Sequence, residues 1–151
     1  MAITTNAICN SFKKELLEGA HKFQFTSGSA FKLALYTNAA TLGKSTTNYI
    51  TANEVANTGT YAAGGGALVK PNPSTSLASS TAIVDFTNLS FTSVSLTSRG
   101  ALIYNTTTSG GSNTTDAVCV LDFGADKTAT SGTFTIQFPA FTTSAAILRI
   151  A

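Results

Sequence analysis

Residues 53–69, "NEVANTGTYAAGGGALV", set a carboxylate (Glu54), a phenol (Tyr61) and three consecutive glycines close together in a chain with only 11% charged residues. Three kinds of chemistry could use such a run. A glycine-rich loop can cradle a phosphate, but that needs the spacing G-x-x-x-x-G-K-[ST] and a helix opening behind it; "AAGGGALV" offers neither. A carboxylate pair could cleave a cell-surface polymer, with Asp122 working beside Asp85 or Glu54 in one cleft. Alternatively, the glycines allow two backbones to approach closely or absorb a bulge, Glu54 and Tyr61 shape the loop, and a side chain in place of Gly65 would block the approach. The residue types favour this last reading, a structural loop.

The other reactive side chains are sparse. His21 is the only histidine, and no G-x-S-x-G elbow supplies it with a nucleophile, so it reads as a solvated loop histidine just after a helix. One histidine and two distant cysteines do not make the four ligands of a zinc site. Asp122 and Asp126 in "LDFGADK" read as a turn built by aspartates around Gly124, with Lys127 as a partner, because the further oxygen ligands of a calcium loop are missing. Cys9 and Cys119 both fall among apolar residues and read as buried thiols. No cofactor and no metal are expected, and no catalytic residues.

The elements that position these residues are mostly strands. Of 151 residues 43% are hydrophobic, while Ser and Thr together exceed a quarter, so the polar surface is largely hydroxyl and amide. A formal charge of +2 with scattered basic residues leaves no stripe for nucleic acid. No run approaches the roughly 20 apolar residues of a membrane helix, and the first residues lack the order of a signal peptide. One helix is expected over residues 6–18, capped by Thr5 or Asn6 and ended by Gly19, with Ile8, Cys9, Phe12 and Leu16 in one stripe. This arm, 1–22, precedes a β domain over 23–151, the two making one globular unit.

After the helix the period changes to two. Strands are expected at 31–36, near 61–69, and at 82–87, 89–96, 101–105, 117–123, 133–138 and 147–151. "LSFTSVSL" changes parity after Phe91, which predicts a bulge or corner. The prolines of "KPNPSTSLASS" make it a linker, and "TTTSGGSNTT", "GADKTATSG" and "PAFTTSA" read as turns. The expected fold is mainly β: an antiparallel sandwich or jelly-roll-like domain of about eight strands with one N-terminal helix.

Taken in order, "FKLALYT" (31–37), "NEVANTGTYAAGGGAL" (53–68), "VDF" (84–86), "RGALIYN" (99–105), "LDFGADK" (121–127) and "GTFTIQFPA" (132–140) resemble a family of small virion structural proteins of tailed bacteriophages. The similarity spans most of residues 31–151; Thr60, Gly66 and the "STSLASSTA" insert depart from the pattern. It implies a non-enzymatic protein made in the bacterial host cytoplasm and carried on the virion. The post it implies is capsid decoration (cement), with a tail- or neck-associated fibre or adhesin as the alternative. Its expected partners are the major capsid protein and copies of itself, a trimer among the possible homo-oligomers, with tail or neck proteins under the alternative. The candidate contact residues are Ile8, Phe12 and Leu16 on the helix and Glu54, Tyr61 and Gly65 in the glycine loop.

Overall fold

The computed structural model describes residues 3–107 and 113–151. The chain is mainly β, with antiparallel sheets of five and three strands and one short helix. In chain order the elements are β1 (Ala7–Ile8), α1 (Asn10–Leu17), β2 (Phe31–Tyr36), β3 (Gly66–Leu68), β4 (Thr75–Ala78), β5 (Thr81–Val84), β6 (Leu89–Asn105), β7 (Ala117–Ile136) and β8 (Leu148–Ile150). The larger sheet runs β1-β7-β6-β2-β3 and the smaller β4-β5-β8. The centre of the "TTTSGGSNTT" turn, 108–112, lies outside the described residues.

The helix is shorter than its apolar spacing predicts. Ala7 and Ile8 pair with Val120 and Cys119, and the Cys9 N–H donates to the Val118 carbonyl at 3.0 Å. Those backbone groups belong to a sheet, so α1 starts at Asn10, and neither Thr5 nor Asn6 caps it. Asn6 instead accepts the Asp122 N–H through Oδ1 at 2.7 Å. Gly19 does close the helix, at φ +77°, a conformation that costs glycine little. Phe12 enters the core beside Phe23 and His21, and Cys9 and Cys119 are both buried as free thiols.

β6 and β7 form one long hairpin in which four expected strands have merged. Residues 89–96 and 101–105 are halves of β6; 117–123 and 133–138 both belong largely to β7, and "GADKTATSG" between them is strand, not turn. The two halves are separated by a corner. Pairing stops at Ser98↔Lys127 and resumes at Gly100↔Asp122, so Arg99 alone on β6 faces Phe123 to Asp126 on β7. Gly124 sits in this bulge at φ +76°. The strand bends sharply there: a straight strand would hold Phe123 and Phe134 about 36 Å apart, yet their ring centroids are 6.2 Å apart. The buried Ser98 hydroxyl lies 2.9 Å from the Gly100 carbonyl and 3.1 Å from that of Tyr36, a donor for the acceptors the broken ladder leaves behind. The parity change after Phe91 is a register shift between Phe91 and Val94.

Candidate functional site

Glu54 stands where β2 runs past the end of β3. Its backbone bridges Tyr36, and the neighbouring Val55 N–H donates to the Leu35 carbonyl at 2.9 Å, so the 53–55 segment continues the sheet edge. From there the carboxylate collects three donors. Oε2 accepts the Tyr49 hydroxyl at 2.5 Å, and Oε1 accepts the Tyr61 hydroxyl at 2.8 Å and the Gly64 N–H at 2.7 Å. Tyr61 in turn accepts the Leu35 N–H at 2.9 Å, a strand donor that β3 is too short to reach. Tyr104 donates to the Gly64 carbonyl at 2.7 Å and stacks on Tyr49 with centroids 4.7 Å apart; Tyr36 donates to the Ile50 carbonyl at 2.6 Å. All four tyrosines of the chain therefore gather around one glutamate.

Such a network is stable only if every member is satisfied, and the glycines make that possible. Gly64 and Gly65 both have positive φ, +93° and +76°. A Cβ on Gly65 would lie 1.8 Å from the Leu33 carbonyl oxygen, so the loop crosses β2 at a distance only glycine allows. The loop is fixed by bonds inside the chain, and Glu54, Tyr61 and Gly65 are its anchors. Burial, and after it the carboxylate, push the Tyr104 phenol up to about 12. Tyr36, Tyr49 and Tyr61 are pushed up by the same causes, burial first.

The helix residues meet elsewhere. Ile8, Phe12 and Leu16 line one side of an apolar recess of about 120 Å³; Ile83, Leu148 and Ile150 of the small sheet line the other. The three do not share a helical stripe, because Ile8 belongs to β1, yet strand and helix present them to the same space. They differ in exposure: Phe12 is buried, Leu16 packs half-buried on the core, and Ile8 is 36% exposed. On the small sheet Leu77, Ala82 and Ile150 are direct cross-strand partners and share one face. Leu77 is 73% and Ile150 58% exposed, so an apolar row leads out of the recess to solvent.

The remaining reactive residues are held separately. Asp122 pairs with Arg99 at 3.3 Å, and Arg99 also donates to the Ile3 carbonyl at 3.1 Å, tying the N-terminal arm to the corner of the hairpin. Asp126 accepts from Asn38 at 2.9 Å rather than pairing with Lys127 in a turn, and Asp85 accepts the N–H of Phe86. His21 is not solvated: it is buried, lying between Glu15 and Asn105. Among the described residues no three His, Cys, Asp or Glu side chains come close enough to hold a metal ion. Among the described residues, no helix is long and apolar enough to span a membrane.

Tyr49, Tyr104, Glu15, Asn105 and Ser98 escaped the sequence reading. For Tyr49 a signal existed: it lies five residues before Glu54, as Tyr61 lies seven after, in a chain with only four tyrosines. No known protein family, curated protein or solved structure matches the chain.

Proposed function

We propose that this chain is a non-enzymatic structural protein of a bacteriophage virion, a decoration protein that binds the assembled head and stabilises it. The apolar recess between α1 and the small sheet, continued by the exposed row through Leu77 and Ile150, carries the reading as a docking face for the capsid surface. The ordered resemblance over residues 31–151 supplies the virion. The reactive side chains suit a scaffold: Glu54 already holds three donors, Asp122 is paired with Arg99, and both ring nitrogens of His21 are hydrogen-bonded. We read the two sheets and the bent β6–β7 hairpin as a sandwich-type layering, a rigid body suited to repeated placement on a shell. Binding only the assembled state stabilises it by mass action, and a closed homo-oligomer would present several such faces at once.

Co-sedimentation of labelled protein with separated heads and tails of the encoding phage tests the reading. Saturable binding to heads at hundreds of copies is the expected result, weakened at least tenfold by Ile150→Asp. Binding to tails alone, at a few copies, would replace decoration with a fibre or adhesin role.

A further inference from the structure

His21 is the one buried imidazole of the chain, and its hydrogen bonds determine where its proton sits. Asn105 settles the question from the far side. Its Oδ1 accepts the Thr107 N–H at 2.9 Å and its Nδ2 donates to the Ala20 carbonyl at 3.0 Å, so its amide cannot be turned over without losing both. That orientation points Nδ2, a donor, at His21 Nδ1, 3.2 Å away. Nδ1 must therefore be a bare acceptor, and the proton lies on Nε2, which donates to Glu15 Oε2 at 2.8 Å. The ring is sandwiched against Phe12, 4.9 Å away, and Phe31, 6.4 Å away, and its side chain has no exposure.

We propose that His21 is an acid-sensitive latch fastening α1 to the sheet: protonation at Nδ1 ejects the Asn105 amide and leaves the ring bound to Glu15 alone. The proton adds to the Nδ1 lone pair, so two N–H donors then face each other across the former bond. On the other side the imidazolium keeps Glu15 as a hydrogen-bonded ion pair. The charged ring thus belongs wholly to the helix, and β6 loses its hold on it. Asn105 has no neutral escape. Rotating its amide to offer Oδ1 to Nδ1–H aims Nδ2 at the Thr107 N–H and deprives the Ala20 carbonyl of its donor. Acid therefore loosens two places at once, the exit of α1 at Ala20 and the start of the β6–β7 connection at Thr107. The groups around the ring permit this. From α1 it meets Glu15 and the ring of Phe12, with the protonated Cys9 thiol next to that carboxylate; from β6 it meets neutral Asn105; from β2 it meets the uncharged ring of Phe31. Lys22, the next residue along, is exposed.

Nitrogen-15 NMR of the imidazole in the full-length chain, with amide exchange measured across the same pH series, tests the latch. The ring should show the Nε2–H form at neutral pH. As it takes up a proton, exchange protection at Thr107 should fall by about tenfold, the protection conferred by one hydrogen bond, with the ring's own midpoint. Asn105→Asp places an acceptor opposite Nδ1–H and should abolish the drop. A neutral ring protonated on Nδ1, a Thr107 amide indifferent to the ring's titration, or a ring that takes up no proton before the whole chain unfolds would each overturn the proposal.

Discussion

The glycine loop and the helix recess are both built from candidate contact residues, and they do opposite things with them. Around Glu54 the polar groups close on themselves: carboxylate, phenols and backbone amides meet one another inside the chain. Between α1 and the small sheet the surface is apolar and incompletely covered, with Ile8 and Ile150 still meeting solvent. In a chain so short of charge, the reactive-looking residues serve the architecture, and plain aliphatic residues provide the surface available to a partner. Stability should therefore be concentrated at the first region and association at the second.

Gly65→Val is the harshest way to break that contrast. A side chain there meets the Leu33 carbonyl and must also adopt positive φ, so a loss of about 4 kcal/mol or more is expected, read by denaturant unfolding or by failure to accumulate soluble protein. Glu54→Ala should follow, at roughly 3–5 kcal/mol, because it leaves two hydroxyls and an N–H without their shared acceptor; a loss under about 1 kcal/mol would mean the network is ornamental. Removing only the Ser98 hydroxyl at the hairpin corner should cost about 1 kcal/mol in the same assay. Leu77→Asp, at the more exposed end of the apolar row, should change stability least, within about 0.5 kcal/mol, while weakening head binding at least tenfold. The buried Phe12 is the poorer probe of docking, since an aspartate there would disrupt the core before it tested any interface.

Alkali sharpens the same comparison without mutation. A phenol near pH 10 in the unfolded chain and near 12 in the fold, as at Tyr104, binds more protons when folded between those values. The stability it contributes is complete below the unfolded value and is lost as pH rises through the folded one. Unfolding free energy should decline above about pH 10, and tyrosinate absorbance should appear at higher pH in the folded chain than in the unfolded one. Glu54→Ala should bring that absorbance to lower pH; Leu77→Asp should leave it in place.

Legibility in the sequence followed the range of the interactions. β2 was readable to the residue because Phe31, Leu33 and Leu35 alternate and its neighbours bury it. The bulge after Phe91 was readable from parity alone. The middle of β7 was not: "GADKTATSG" carries turn residues, and only its pairing with the distant β6 keeps it extended. β4 was hidden in a proline and serine linker for a similar reason, though it takes the edge position that prolines allow. The helix start failed because a two-residue pairing with β7 outweighed local spacing at Ala7 and Ile8. At the loop, Glu54, Tyr61 and the glycines were visible as a group, with Tyr49 only five residues away, but the partner Tyr104 comes from a segment that only the fold brings near. His21 was misplaced because solvation cannot be judged without Asn105, eighty-four residues along.

The gathering of every tyrosine around one carboxylate also gives the chain an optical property. It has no tryptophan, so beyond the weak short-wavelength emission of phenylalanine its intrinsic fluorescence originates from that single neighbourhood. A phenol hydrogen-bonded to a carboxylate emits weakly, and the stacked pair Tyr49 and Tyr104 can exchange excitation. The folded chain should therefore be dim near 300 nm, brightening when the glycine loop lets go: a label-free reporter of one loop rather than an average over the whole molecule.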